Sequence, residues 1–314
     1  MSFAVKHRPK ALSEVVGNGV VKKVISEMIQ NLSFTHVMFE GDTGSGKTTF
    51  AYILAKEFSG IEENIFNINC MFSSGVEEMR NKLEELRKTS LFGINKVLIL
   101  DEIHGLSNQA QNVFLKPLED GLPSYVLIIA CTTSVEKLSP MLLDRFKRLR
   151  VKPLVDSEAI QLIDRISSLE NITTEKWKKA LILEKSAGIP RRILSGLEKV
   201  KSITDKSEVE LLLDISSLEE EDPDILKLFK WILSKADWNI IKHQLDILLK
   251  TGKSPESIRI GIVNLIASRL TSNYSNEIER SRLSKLYFNY LRQMLGVPDK
   301  ANLINLIYLM TKGD

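Results

Sequence analysis

Cysteine is nearly absent from this chain, with only Cys70 and Cys131 among 314 residues. Two thiols far apart in sequence build no disulfide framework, and a zinc site is excluded by number. Each lies at the end of an apolar, strand-like run, Ile65 to Cys70 and Val126 to Cys131, which predicts buried free thiols. Long hydrophobic runs are missing too: no stretch approaches 18 uninterrupted apolar residues, and the N-terminus, with Lys6, His7 and Arg8, has no apolar leader region. The expectation is therefore no membrane partner and a reducing cytosol, prokaryotic or phage-infected, or a nucleus if the source is eukaryotic. Charge of one sign is scarce, since the net charge is only +3. That value is compatible with nucleic-acid contact but does not argue for it. Internal repeats and low-complexity tracts are also lacking. What is present is apolar content of 43%, enough for real cores, in a chain long enough for two or three domains.

The most informative segment is Gly41, Asp42, Thr43, Gly44, Ser45, Gly46, Lys47, Thr48 and Thr49, preceded by the apolar run His36 to Glu40. Strand, glycine-rich turn and helix in that order form a phosphate-binding loop. The glycines let backbone amides turn inward around the β-phosphate, Lys47 neutralises β and γ charge, and the Thr48 hydroxyl is placed to ligate Mg²⁺. ATP and Mg²⁺ are the expected cofactors.

A second run, Lys96 to Asp101 followed by Glu102, reads as a short, fully buried strand ending in two carboxylates. Such a run is a weak signal alone and a strong one about fifty residues after a phosphate loop. Asp101 would hold the Mg²⁺ hydration shell, and Glu102 would polarise the water that attacks the γ-phosphate.

Residues 36–40, 65–70, 97–101, 126–131 and 148–151 read as strands separated by helical stretches, an alternation that predicts a parallel α/β sheet between helices. Strands cease after Lys152-Pro153. Residues 155–202 read as helices, with Asp156 and Ser157 as caps and a stop at Ala187-Gly188-Ile189-Pro190 before a new start. The acidic stretch Glu219 to Asp224 marks a further boundary, where Pro223 suits a helix start. The rest, to Met310, is helical by periodicity, with breaks at 251–255 and 296–298. Trp231 and Trp238, seven apart, fall on one helical face as core or interface anchors. Three domains are expected: an α/β nucleotide-binding domain at 1–152, a small helical lid at 153–207 and an all-α domain at 208–314.

Taken together, these motifs resemble the AAA+ ATPase subunits of sliding-clamp loaders over roughly the first 200 residues. Lys6-His7-Arg8-Pro9 with Leu12 to Gly17 looks like the family's adenine-surrounding box, which implies nucleotide contacts for Arg8, Pro9, Val15 and Val16. The stretch Asp101 to Glu119 is similar to the family's segment beyond its second carboxylate motif and is its most specific match. Ala130-Cys131-Thr132-Thr133 matches the sensor 1 strand end, where the resemblance implies that Thr132 meets the γ-phosphate or the attacking water. Leu142-Leu143-Asp144-Arg145-Phe146 stands where the family has Ser-Arg-Cys. The arginine is kept, and a planar permanent cation is what an arginine finger needs, although Asp144 beside it could pair with it. A surface cation in the basic run Arg145 to Arg150 is the competing assignment. Gly188-Ile189-Pro190-Arg191-Arg192 resembles the sensor 2 motif, with the register between Arg191 and Arg192 open.

The family also turns the helix that follows Ser73-Ser74-Gly75 toward the DNA backbone. That implies phosphate contacts from Arg80 and Lys82, and from Ser107 and Asn108 at the start of the next helix. A merely solvated helix face is the alternative for Arg80 and Lys82. Leu91 and Phe92, beside Gly93, are candidates for a plug that docks in a clamp pocket, or else fold beneath the following strand. The implied function is an ATP-hydrolysing motor subunit that opens a sliding clamp and places it on primer-template DNA. It would work with other subunits in a pentamer-like ring, its C-terminal helical domain serving as the collar. Two alternatives stand beside it: a non-catalytic scaffold subunit, and another AAA+ remodeller such as a branch-migration motor.

Overall fold

The computed structural model describes residues 2–72, 75–88 and 95–206 without interruption. Beyond these it describes 208–213 except 211, 223–250 except 235, and scattered positions between 254 and 307. The chain divides into two compact units, Met1–Lys201 and Ser202–Asp314.

The first unit is built on five parallel strands: β1 Val37–Glu40, β2 Ile65–Asn69, β3 Lys96–Asp101, β4 Val126–Thr132 and β5 Lys147–Arg150, in the order β2-β3-β4-β1-β5. The sequence reading placed these within a residue or so at either end. Alternate strand residues face opposite sides, so the inner strands β1, β3 and β4 each feed two cores. Val37, Phe39, Val97, Ile99, Leu127, Ile129 and Cys131 pack on one side against α2 (Gly19–Gln30) and α3 (Lys47–Ser59). Met38, Leu98, Leu100, Ile128 and Ala130 pack on the other against α4 (Val76–Arg87) and α5 (Asn108–Asp120). A sheet covered on both faces leaves only its strand ends open, and ligands bind beyond the carboxyl ends of such strands. Both thiols lie inside these cores, as expected. Burial pushes Cys70 up to about 12 and holds Cys131 well above the ordinary thiol value, so both stay protonated and inert.

Two short helices are α1 (Phe3–Lys6) and α6 (Pro140–Leu143). After β5 come α7 (Asp156–Leu169), α8 (Lys176–Ser186) and α9 (Pro190–Val200). The cap of α7 differs from the expected one: Val155 is the cap residue, and its N–H donates to Glu158, while Asp156 lies inside the first turn. Asp156 there still favours the positive helix end. The stop before α9 follows the sequence reading, with Ala187 and Gly188 both left-handed and Pro190 first in the new helix.

Gly188 also fixes how α9 meets the sheet, because Leu154 N–H donates to its carbonyl at 2.8 Å. Its φ is +72°, and a Cβ there would lie 2.2 Å from the Leu154 carbonyl oxygen. Gly188→Ala should therefore destabilise this unit by about 3 kcal/mol, a fall in Tm of roughly 10 °C. Gly60→Ala is the control: it shares φ +72° but meets nothing within 4 Å. It should cost about 1 kcal/mol from backbone strain alone. Thermal melts of the two variants test the difference.

In the second unit, α10 (Pro223–Leu233) and α11 (Trp238–Lys250) bury Leu228, Phe229, Ile232, Ile241, Leu245 and Leu248 in one core with Ile258, Ile262 and Leu265. Pro223 begins its helix as expected. Trp231 and Trp238 both pack on this core but do not share a helix. The chain breaks between them, and Asp237 accepts the Asn239 N–H at 2.8 Å to start α11. The expected breaks fall largely outside the described residues, at 251–253 and 296–298.

Candidate functional site

The phosphate loop connects β1 to α3 as expected. Gly44 has φ +79°, and a Cβ on it would lie 3.0 Å from the Arg191 Cβ, so only glycine lets α9 approach so closely. Lys47 is 5% exposed and its Nζ donates to the carbonyls of Gly41 and Asp42, each at 2.9 Å. Burial lowers its pKa, and the nearby Glu102 and Asp101 oppose that drop. The ammonium is thus held over the loop on weak neutral acceptors, from which a phosphate can draw it. Ser45 Oγ is buried without a hydrogen-bond partner among the described residues. An orphaned hydroxyl in a glycine-rich cradle fits a phosphate-bearing ligand.

Asp101 ends β3, and Thr48 opens α3 beside it. The Thr48 hydroxyl lies 3.3 and 3.2 Å from the two carboxylate oxygens of Asp101. Adjacent hard oxygen donors at the mouth of a phosphate loop suit Mg²⁺, which takes one or two protein oxygens and completes its shell with water and phosphate.

A cleft runs over this loop, lined by Thr43, Gly46, Lys47, Thr49, Asp101 and Glu102 on the sheet side and by Pro190, Arg191 and Leu194 of α9 opposite. Arg191, not Arg192, is the cleft residue, and its N–H donates to the Gly44 carbonyl at 3.4 Å. Beside it a largely apolar pocket is lined by Pro9, Val15, Val16, Phe50, Leu162 and Leu194. Arg8 lies at the rim, donating to Thr49 Oγ1 at 3.3 Å with its guanidinium 5.3 Å from the Tyr52 ring centre. An apolar slot beside a phosphate cradle has the shape and chemistry of a purine site.

Thr132 and Arg145, both expected, have surroundings the sequence did not reveal. Thr132 is wholly buried; its hydroxyl accepts the Ser134 N–H at 3.0 Å and lies 3.1 Å from His104 Nδ1. Its neighbour Thr133, which sequence reasoning passed over, reaches Glu102 Oε2 at 3.4 Å, and His104 Nδ1 is 3.3 Å from that same oxygen. Arg145 is exposed after α6 and pairs at 3.0 Å with Glu119 of α5 rather than with Asp144.

Of the residues assigned to DNA, Ser107 and Asn108 open α5, whereas Arg80 and Lys82 lie more than a turn inside α4. Arg80 is exposed on α4, whereas Lys82 is engaged by Glu85 at 2.8 Å and lies 3.7 Å over the Phe66 ring. Ser107 caps α5, its hydroxyl accepting the Ala110 N–H at 3.3 Å, and Asn108 beside it is exposed. Leu91 and Phe92 lie outside the described residues.

Comparisons with known proteins bear on this geometry. Residues 37–154 match the family of ATPases associated with various cellular activities, the AAA family. A replication factor C small subunit of Methanococcus maripaludis is 29% identical over 262 residues, 82% of each chain. A DNA polymerase III subunit gamma of Buchnera aphidicola is 27% identical, covering 94% of this chain and 90% of its own. Among solved structures, the Holliday junction branch migration motor RuvB of Thermotoga maritima superposes with a TM-score of 0.55 at 26% identity, covering 76% of this chain and 85% of its own.

Proposed function

We propose that this chain, whose residues 37–154 match the AAA ATPase family, is the ATP-hydrolysing motor subunit of a sliding-clamp loader. The observation that carries the catalytic part is the convergence of Lys47, Thr48, Asp101, Glu102 and Arg191 on one cleft. A scaffold subunit would not need to keep a water-activating carboxylate beside an intact phosphate loop. The branch-migration reading is supported over 76% of the chain by the RuvB superposition. The loader reading is supported over 94% by the gamma relative and by the loader-like segment from Asp101 to Glu119.

In this reading adenine occupies the slot between Pro9, Val15 and Val16, and Lys47 leaves its loop carbonyls for the β- and γ-phosphates. Mg²⁺ bound at Thr48 and Asp101 would neutralise charge that develops between those phosphates. Water bonds to the γ-phosphorus as the bond to the bridging oxygen breaks, and ADP leaves with that electron pair. Glu102 takes the water proton, which ends on inorganic phosphate. Arg191 compensates charge in its own subunit's site, and Arg145, exposed and paired with Glu119 of α5, acts on a neighbour's. Residues 1–152, 153–207 and 208–314 serve as motor, lid and collar in a ring with further loader subunits. The partners are a sliding clamp, gripped through Leu91 and Phe92, and primer-template DNA, followed by Arg80, Ser107 and Asn108.

The deciding experiment is steady-state ATPase with and without primed DNA and a cognate clamp. A sharp rise only when both are present is the expected result. A rise with four-way junction DNA and none with the clamp would sink the loader reading in favour of branch migration. Arg80→Ala should weaken primed-DNA binding equally across sequences and shrink the salt slope by about 1. An unchanged slope would return Arg80 to the solvated face of α4.

A further inference from the structure

Glu102 occupies an unusual backbone conformation, with φ 50° and ψ 47°, the left-handed region that non-glycine residues rarely adopt. It is fixed from both sides. Gly105 N–H donates to the Glu102 carbonyl at 2.8 Å, and the Glu102 N–H donates to Asp101 Oδ1 at 3.1 Å. The twist turns the side chain away from the axis of β3 and toward the end of β4. There its Oε2 meets His104 Nδ1 at 3.3 Å and Thr133 Oγ1 at 3.4 Å. The His104 ring is itself anchored, since its Nδ1 lies 3.1 Å from the hydroxyl of the buried Thr132, which accepts the Ser134 N–H.

The chemistry of these groups decides the tautomer. A carboxylate only accepts, so an Nδ1 lone pair facing Oε2 would be repelled. Nδ1 therefore carries the proton, in the space shared by Thr132 Oγ1 and Glu102 Oε2. Both neighbours of the carboxylate fall on Oε2. Among the described residues that leaves Oε1 free to accept from a water in the cleft.

We infer that His104 and Thr133 are positioning residues for hydrolysis: they hold Glu102 by Oε2, with His104 anchored on the end of β4 through Thr132, so that Oε1 faces the attacking water. This rests on the proposed reading of Glu102 as the water-activating group. It gives a task to His104, which the motif reading left without one, and it ties the strand end that senses phosphate to the residue that acts on water. Positioning of this kind acts on turnover, because a misplacement of about 1 Å can cost about a hundredfold in rate.

The test is steady-state ATPase together with equilibrium nucleotide binding on the full chain. His104→Ala should lower kcat about ten- to a hundredfold with KM for ATP and nucleotide affinity unchanged. His104→Asn, whose amide nitrogen can stand where Nδ1 stands, should restore most of that rate. His104→Gln, whose amide reaches the Nε2 position, should not. Thr133→Val should lower kcat by a smaller factor, and His104→Ala added to Glu102→Gln should cost nothing further. Should His104→Ala fold poorly, His104→Asn against His104→Gln and Thr133→Val still decide the matter. Equal rates for Asn and Gln, or a loss of affinity in step with kcat, would reduce His104 to a support of the turn and overturn the inference. If Glu102→Gln is dead while His104→Ala runs at the full rate, the inference alone fails. If Glu102→Gln itself turns over normally, the assignment of Glu102 fails first.

Discussion

Glu102→Gln is expected to bind ATP as the unaltered protein does and to hydrolyse it about 10²- to 10⁴-fold more slowly, the range a positioned base supplies. The amide keeps the size and shape of the side chain but cannot take a proton from water. Lys47→Ala should fail earlier, at binding, because it removes the buried ammonium that Gly41 and Asp42 hold over the phosphate loop. Binding and turnover measured on both variants separate the two roles. Ordinary turnover in Glu102→Gln would remove it from the chemistry.

Arg145→Ala is expected to lose about 10³- to 10⁵-fold in assembled ATPase, the contribution of an arginine finger to phosphoryl transfer. The residue is not among those lining the cleft of its own chain, and its ion pair with Glu119 is half exposed. Such a surface pair contributes at most about 1 kcal/mol and is readily exchanged for a phosphate. A cation parked on Glu119 and facing solvent suits a target on another subunit. Mixing Arg145→Ala with Lys47→Ala protein should recover part of the activity, since the intact arginine of the second can serve the intact loop of the first. Full activity of Arg145→Ala alone, or no recovery in the mixture, would return it to a surface role.

Much of this molecule was legible in its sequence wherever the physics is local. The phosphate loop is contiguous, and its glycines and lysine mean the same thing in any strand-to-helix turn. The inner strands β1, β3 and β4 were legible because a buried parallel strand must be short and apolar on both faces, as Val126 to Thr132 is. The stop before α9 was readable because tolerance of left-handed backbone and a helix-starting ring are properties of Gly188 and Pro190 themselves.

Tertiary structure decided what depends on two chain segments meeting. Which of Arg191 and Arg192 serves the cleft follows from how closely α9 crosses Gly44, and no local signal separates two adjacent arginines. The break between Trp231 and Trp238 was masked by a spacing that one helix could carry, although Asp237 just before Trp238 was a cap signal within reach. The partner of Arg145 is Glu119, 26 residues earlier, because α5 and α6 pack together on one face of the sheet. The cluster of Glu102, His104, Thr132 and Thr133 exists only because β3 and β4 are neighbours whose ends lie level. Sequence determines which groups a chain carries and the local bends they allow. The pairing of strands places carboxylate, imidazole and hydroxyl within 3.5 Å of one another.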